Sequence, residues 1–203
     1  MNPIALPPPA TKGSISVEEA ISRRRSLRRY SSQAITLAQL GQVLWACQGL
    51  TGGRKRAIPS AGATYPLELY VVAGREGVEG LAEGIYRYEP EGHGLQLLAS
   101  GDKRAELAAA ALNERFLREA PVDLVVCAIY ERTTANYGRR GEAYVHFEVG
   151  HLGQNVHLQA LALGLGTVMV GAFEDEEVSR VLGLEEDAQP LYIMPLGRPR
   201  QLP

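Results

Sequence analysis

Residues 122–129 are apolar at every position except Asp123. A run of this length that is rich in Val and Ile is typical of a strand buried on both of its faces. Such a strand needs covering layers, so we expect it near the centre of a sheet that is flanked by helices.

Capping and turn signals place the other elements. Capping-box patterns at Ser16 and Thr36 begin two helices; the first ends near the arginines that follow it, and the second ends at Gly49. Apolar patterning predicts strands at 67–72, 85–89, 95–98, 122–129, 167–173 and 191–196, and helices at 102–112, 143–165 and 175–182. Strand-helix-strand crossovers are few, so we predict an α+β fold with a mixed central sheet and not a doubly wound one.

The chain has 203 residues, of which 45% are hydrophobic and 22% are charged, and this suits one domain with a sizeable core. The Pro-rich residues 1–13 read as an extended arm, and they lack the basic and apolar regions of a signal peptide. We therefore assign residues 14–203 to a single domain, with no internal repeat.

Charge and cysteine content exclude several classes of protein. The net charge of −2 and the pI near 6.1 argue against a nucleic-acid binder. No segment reaches the roughly eighteen apolar residues of a membrane span. Cys47 and Cys127 lie far apart and form no Cys-x-x-Cys pair, so we expect neither a disulfide framework nor a zinc site, and a cytoplasmic location.

The helical pattern at 143–165 is apolar on most of its sides and ends in Gly164-Leu165-Gly166. A helix with so broad an apolar surface is either fully buried or part of an interface. We expect it to form the core of a homodimer.

Five arginines and a serine stand within Arg23–Arg29, in a chain whose net charge is close to zero. Guanidinium groups match phosphate oxygens and a neighbouring hydroxyl adds a further donor, which favours a small phosphorylated ligand. Charge runs are also common in solvated turns, and this alternative stays open on the segment alone.

Three other sequence patterns give weaker evidence of function. The pair Gly164 and Gly166 follows a helix and precedes a strand, the reverse of the order in a dinucleotide fold. Four residues resemble a metal-ligand cluster, namely His146, Glu148, His151 and His157, but the three histidines diverge around a helix axis, so we expect no metal site. The chain has no Gly-x-Ser-x-Gly elbow, and covalent hydrolase chemistry therefore lacks support.

Three motifs, in this order along the chain, resemble those of a known protein family. The segments Arg24–Arg28, Pro59–Ala63 and Gly164–Phe173 resemble the FMN-dependent nitroreductase family, from about Ser14 to the end. Further segments look like the SagB-type and thiazoline-oxidase branch of that family: Pro59–Glu68, Ile85–Tyr88, Tyr137-Gly138, Gly150-His151 and Gln154-Asn155.

The resemblance implies an FMN cofactor and a nitroreductase-like homodimer with a helical interface. It assigns the FMN phosphate and ribityl chain to Arg24, Arg25 and Ser26, and the pyrimidine edge of the flavin to Arg28. A cation at that edge stabilises the negative charge of the reduced ring.

Further cofactor contacts are implied in the same way. The small residues of the Pro59, Ser60 and Ala61 segment would reach the cofactor across the dimer interface. The segment Val170, Gly171 and Ala172 would lie near flavin N5, where a backbone N–H can bond the ring.

Three other positions complete the implied set. Asn113 matches an amide that bonds the flavin ring, although Asn is also a common helix cap. Arg198 and Arg200 resemble a basic pair at the phosphate, with Arg198 the stronger candidate.

One departure bears on the reaction. Thiazoline-oxidising relatives have Lys-Tyr where this chain has Asn136-Tyr137, and Asn cannot act as a base. Tyr137 is then the candidate catalytic residue, although an ordinary tyrosine pKa near 10 makes it a weak base.

The leading hypothesis is an FMN oxidoreductase that takes electrons from NAD(P)H and reduces a small conjugated acceptor, such as a nitroaromatic or a quinone. An azoline or peptide dehydrogenase is the first alternative. A non-enzymatic flavin-binding subunit and a nucleic-acid binder that uses the arginines are the others.

Overall fold

The computed structural model describes residues 3–200. The helices are α1 Val17–Arg23, α2 Leu37–Gln48, α3 Arg104–Ala110, α4 Arg115–Glu119, α5 Glu131–Tyr137, α6 Arg140–Ala162 and α7 Asp175–Leu182. The strands are β1 Ile4–Ala5, β2 Ile35–Thr36, β3 Leu50–Gly52, β4 Lys55–Arg56, β5 Leu67–Ala73, β6 Val78–Glu79, β7 Gly84–Glu89, β8 Gly94–Ser100, β9 Val122–Ile129, β10 Gly166–Thr167 and β11 Ala188–Gly197.

Seven strands form the central sheet, in the order β1-β8-β7-β5-β9-β11-β10. Strand β9 lies inside it between β5 and β11, as the apolar run predicts. The α+β architecture is confirmed, but every strand pair of this sheet is antiparallel instead of mixed. The helices between β8 and β9, and those between β9 and β11, return the chain so that each new strand runs against its neighbour.

Both faces of the sheet are covered. Leu124 and Val126 of β9 belong to a core shared with α2 and α6, whereas Val125 and Cys127 point to a second core under α3, α4 and α7. Successive residues of a strand face opposite sides, so a strand between two helical layers has no polar face. This explains the run of apolar residues.

Local cap signals act as predicted. Ser16 accepts a hydrogen bond from the Glu19 N–H at the start of α1. Thr36 and Gln39 form a complete capping box at the start of α2. Each cap satisfies backbone groups that the first turn of a helix leaves without partners.

Two predicted elements differ from the structure. The segment 167–173 is not one strand: β10 covers Gly166–Thr167, and Val170 alone forms a further bridge, to Ile193. The helix predicted at 143–165 begins earlier, at Arg140, and the separate helix α5 precedes it. Gly138, with φ +54, makes the break between α5 and α6.

Residues of the N-terminal segment follow the edge of the sheet. Ile4 and Ala5 pair with β8, and Ala10 exchanges two hydrogen bonds with the Gln42 side chain on α2. Among residues 3–200, no helix has both the length and the apolar character needed to cross a membrane.

Helix α6 has one buried and one open face. Val145, Val149 and Leu152 face the core, while Phe147 is 54% exposed. The Tyr144 ring contacts the rings of Tyr137 and Phe147, and we call these three residues the aromatic patch. The helix is therefore less apolar on its outer side than the sequence pattern indicates.

Candidate cofactor site

Two segments from opposite ends of the chain meet at one side of the sheet. The Ser31 N–H donates to the Arg198 carbonyl and the Arg200 N–H donates to the Arg29 carbonyl, each at 3.0 Å. Tyr30 and Pro199 form an antiparallel bridge between these two bonds. We call residues 24–31 with 198–200 the arginine junction. The structure thus brings the tail arginines to the arginine-rich segment.

The arginine junction is anchored to the end of the sheet. Its Leu27 N–H donates to the Thr167 carbonyl of β10 at 2.9 Å, and the Leu27 side chain packs against Gly166. The Tyr30 ring is buried, and its hydroxyl donates to the Leu27 carbonyl at 2.7 Å. The segment is therefore a fixed part of the fold.

Positive charge in the junction is left without partners. Eight salt bridges join side chains within residues 3–200, and none of them involves Arg24, Arg25, Arg28, Arg29, Arg198 or Arg200. Arg25 bonds only the carbonyls of Ser22 and Arg24. Like charges repel when they are held close together, so this arrangement favours an anionic ligand.

Two buried polar atoms at the arginine junction have no hydrogen-bond partner within residues 3–200. Among the described residues, Thr167 Oγ1 and Arg198 Nε are both buried and make no hydrogen bond. An Arg198 Nη2 atom reaches Gln39 Oε1 only at 3.5 Å. A buried guanidinium N–H without an acceptor is costly, and a bound anion would remove that cost.

Arg24 lies beside the C-terminal half of α6. Burial lowers the pKa of His157, and the positive charge of Arg24 lowers it further. His157 is 4% exposed and faces the interior. Helix α6 therefore forms one wall of the arginine junction.

The segment after β10 leads away from the junction. Val170 exchanges two backbone hydrogen bonds with Ile193, each at 2.9 Å. Gly171 and Ala172 follow, are exposed, and have N–H groups that find no acceptor among residues 3–200. These N–H groups are available to a ligand that lies beside the segment.

Asn113 lies near the same segment. The Glu174 N–H donates to the Ala110 carbonyl at 2.9 Å, which ties the segment to the end of α3. Asn113 follows three residues later, is exposed, and has a left-handed backbone with φ +60. Its place is compatible with either a helix cap or a ligand contact.

A second group of predicted residues lies elsewhere on the chain. Pro59, Ser60 and Ala61 begin a tight turn at residues 59–65, which we call the Ser60 turn. A Cβ atom at Gly62 would lie 2.6 Å from the hydroxyl of Tyr137, so Tyr137 packs directly on this turn. Tyr137 is 39% exposed. It therefore belongs to the Ser60 turn and not to the arginine junction.

The two groups are separated within one chain. Ser60 lies by Glu148 of α6, whereas Arg24 lies by His157, nine residues further along the helix. At 1.5 Å per residue this is about 13 Å along the helix axis. The Ser60 turn and the arginine junction therefore lie beside different parts of α6.

In the sequence, Glu148 stands among the histidines of an unsupported metal cluster, and no separate role is predicted for it. The residue is 2% exposed and sits between the buried residues Val145 and Leu152. Its sequence signal is a carboxylate at a core position of a helix, and buried carboxylates are rare unless paired. Within residues 3–200, no three His, Cys, Asp or Glu side chains are grouped closely enough to hold a metal ion.

A model of the nitroreductase family matches residues 21–198. This chain belongs to the nitroreductase family. The match begins in α1, includes residues 24–31 of the arginine junction and ends at Arg198. The family assignment makes the protein an oxidoreductase enzyme.

Individual relatives agree with this assignment. A Methanocaldococcus jannaschii protein named as a nitroreductase is 48% identical over 185 residues, which cover 91% of each chain. The microcin B17-processing protein McbC of Escherichia coli is 28% identical over 72% of this nitroreductase-family chain and 55% of its own length.

Solved structures show the same fold. A nitroreductase-family crystal structure from Ralstonia eutropha is 27% identical, covers 98% of this chain and 90% of its own, and has a TM-score of 0.84. The NADPH:FMN oxidoreductase of Vibrio harveyi complexed with NAD+ is 26% identical over 91% of this chain and 69% of its own, with a TM-score of 0.66.

Proposed function

We propose that this protein is a homodimeric FMN-dependent oxidoreductase that takes electrons from NAD(P)H and passes them to a small conjugated acceptor, such as a nitroaromatic or a quinone. The observation that carries the proposal is the arginine junction, with unpaired guanidiniums and the buried, unpartnered Arg198 Nε. The NADPH:FMN oxidoreductase relative supports both the electron donor and the cofactor.

The residues of the junction fit the phosphate of FMN. Arg24, Ser26 and Arg198 would bind the phosphate oxygens, with Arg25 and Arg200 adding charge from the rim. Arginine forks match phosphate geometry and give hydrogen bonds stronger than neutral ones. The Arg198 Nε atom would gain the acceptor that the protein itself does not give it.

Bound FMN would supply hydride acceptance and donation at N5. Arg28 would hold positive charge at the pyrimidine edge of the ring, where negative charge grows on reduction. The free N–H groups of Gly171 and Ala172 would orient the ring beside Val170, and Asn113 would donate from the end of α3.

The dimer supplies the second wall of the site in this proposal. The Ser60 turn of one subunit, with Pro59 and Ala61, would lie against the cofactor that the partner's arginines hold. The family resemblance implies this arrangement, and in one chain the two groups lie beside different parts of α6. The aromatic patch gives an otherwise polar side of α5 and α6 a small apolar area for the contact.

The visible absorption spectrum of the purified protein tests the cofactor. We expect an oxidised-flavin spectrum and release, on denaturation, of about one FMN per chain. A colourless protein that also fails to take up added FMN would contradict the proposal.

Initial rates with NAD(P)H and an acceptor should then give parallel double-reciprocal lines, because both substrates use one site in turn. Intersecting lines would exclude a shared site.

Arg28→Ala should slow reduction by NAD(P)H or weaken FMN binding by roughly tenfold, the effect of losing one charged hydrogen bond. Arg23→Ala is the matched control, because Arg23 forms an ion pair with Glu19 on the exposed side of α1. Stopped-flow absorbance at the flavin band measures the rate. Equal effects of the two substitutions would indicate a general basic patch.

An azoline or peptide dehydrogenase is the second candidate, and the similarity to McbC favours it. Tyr137 would be the proton-transferring residue, held against Gly62 at the Ser60 turn. Asn136 stands where azoline-oxidising relatives have Lys, which weakens this candidate. Oxidation of an azoline-containing peptide faster than of any quinone or nitroaromatic would favour it over the first.

A further inference from the structure

A buried polar cluster lies behind the Ser60 turn. The Ser60 hydroxyl, the Arg56 guanidinium of β4 and the Gln48 amide at the end of α2 all lie close enough to the Glu148 carboxyl of α6 to lower its pKa. Arg56 also donates to Gln48 Oε1 at 2.9 Å and to Glu91 at 3.2 Å. The cluster therefore runs from the Ser60 turn, through the core, to a charged surface.

Two atoms of this cluster have no hydrogen-bond partner within residues 3–200. They are Glu148 Oε1 and Gln48 Nε2, and their residues are 2% and 1% exposed. Buried polar groups are nearly always satisfied, so an unsatisfied carboxylate and amide in one cluster require an explanation. Neither group has a part in the cofactor contacts described above.

Ser60 is held in a defined orientation. The Tyr65 N–H donates to Ser60 Oγ at 3.0 Å, and Thr64 Oγ1 lies 2.8 Å from Thr133 Oγ1. Ala63 and Tyr65 have left-handed backbones, with φ +54 and +47, which non-glycine residues rarely adopt. Such strain persists where the surroundings fix it, and it is common at functional sites. The hydroxyl keeps one proton to donate and one lone pair to accept.

The other end of the cluster opens to solvent. A cavity of about 240 Å³ is lined by Gln48 and Arg56, together with Glu68, Arg87 and Arg132. Each of these arginines is paired with a glutamate, so the cavity carries both signs of charge. Water in this cavity can exchange protons with the buried cluster.

We propose that Glu148 delivers, through the Ser60 hydroxyl, the proton that the acceptor takes up as it is reduced. This rests on the proposed function, because Ser60 touches the acceptor only if its turn lies over the partner's cofactor. Ser60 is then the catalytic residue and Glu148 the positioning residue behind it.

The step balances for a quinone or a nitro group. The acceptor receives one hydride equivalent, which carries both electrons from NAD(P)H, and one proton. The Ser60 O–H bond breaks as the acceptor O–H bond forms, and the Glu148 proton moves to Ser60 Oγ. With one hydride equivalent and one proton, a quinone becomes a hydroquinone, and a nitro group becomes a nitroso group and water. Glu148 is left as a carboxylate opposite Arg56 and regains its proton from water in the cavity.

The protonation of Glu148 suits this role. Burial raises its pKa to about 7, although Ser60, Arg56 and Gln48 each act to lower it. Among the elements packed against Glu148, the charged group that acts on its pKa is the Arg56 guanidinium. A general acid works best when its pKa lies near the working pH. At neutral pH the carboxyl is present in both forms.

Glu148→Gln tests the proposal in the FMN-loaded protein. We expect the turnover number at pH 6 to fall roughly 100-fold, the lower range for loss of general acid catalysis, with little change in KM for NAD(P)H. The wild-type turnover number should decline as pH rises through about 7, and this decline should vanish in E148Q. Glu142→Gln, an exposed change on the same helix, is the matched control and should keep the wild-type profile.

Infrared difference spectra between pH 6 and pH 8 give a readout that does not use activity. The band of a protonated carboxyl should be present in the wild type and in Ser60→Ala, and absent in E148Q. Ser60→Ala should also lower the turnover number, and it provides the test if E148Q fails to fold. A wild-type pH profile in FMN-loaded E148Q would overturn the relay alone. Failure of the wild type to bind FMN would overturn the proposed function and the relay with it.

Discussion

Replacing Arg198 with alanine is expected to weaken FMN binding by roughly 10- to 100-fold, the loss that follows from about 1.5–3 kcal/mol per charged hydrogen bond. The Arg198 Nε atom is buried and has no partner in the described chain, so its full hydrogen-bonding capacity is available to the phosphate. Fluorescence titration of the apo-protein with FMN measures the dissociation constant.

The same substitution should leave the melting temperature of the apo-protein unchanged or slightly higher. The side chain makes no ion pair within residues 3–200, and its removal relieves repulsion within the arginine junction. Arg198→Lys keeps the charge but loses the fork and should bind with intermediate affinity. An Arg198→Ala protein that binds FMN as tightly as the wild type would place the phosphate elsewhere.

Asp123→Asn is expected to stabilise the protein at pH 8. Asp123 is fully buried in β9, and neither carboxylate oxygen has a hydrogen-bond partner in the described chain. Burial raises its pKa well above the ordinary value of 3.8, and the nearby Arg104 only partly opposes this. The unfolded chain ionises above pH 3.8 while the folded chain keeps its proton, so stability falls as pH rises. Asparagine removes this penalty, and the gain should vanish below about pH 4.

Asp102→Asn should have the opposite effect on stability and lower the free energy of unfolding. Burial alone would raise the pKa of Asp102, but hydrogen bonds from the Arg104 side chain and from the N–H groups of Arg75 and Arg104 lower it to about 2. A lowered pKa gives stability that is present above pH 3.8 and is lost as pH falls through 2. Because the side chain is 30% exposed, we expect a loss of about 1–2 kcal/mol at pH 7. Urea unfolding at pH 4 and pH 8 measures both variants, and equal signs would refute this account.

Local signals predicted local structure well. The caps at Ser16 and Thr36 place their helices because a cap acts within one turn. The apolar run of β9 identified an inner strand because both faces of that strand meet helices. In contrast, the helix α5 stayed unpredicted, since its residues are mostly exposed and have no strong apolar period.

Features that depend on distant contacts were harder to predict. The segment 167–173 is as rich in apolar residues as a strand, yet after Thr167 it pairs with β11 only at Val170. The strand directions of the sheet depend on how the helices return the chain, which no single segment encodes. The pairing of the tail arginines with residues 29–31 could be expected only from the family resemblance, whereas the part proposed for Glu148 requires its burial to be known.

The arginine junction also determines when, during its synthesis, the chain can complete its candidate cofactor site. Its two halves are separated by about 170 residues, so the ribosome adds that many residues after Arg29 before Arg200 can pair with it. Until then only one half of the arginine junction is in place. If the junction binds FMN as proposed, only a chain that has closed this loop can retain the cofactor, and one that retains it gains stability by mass action.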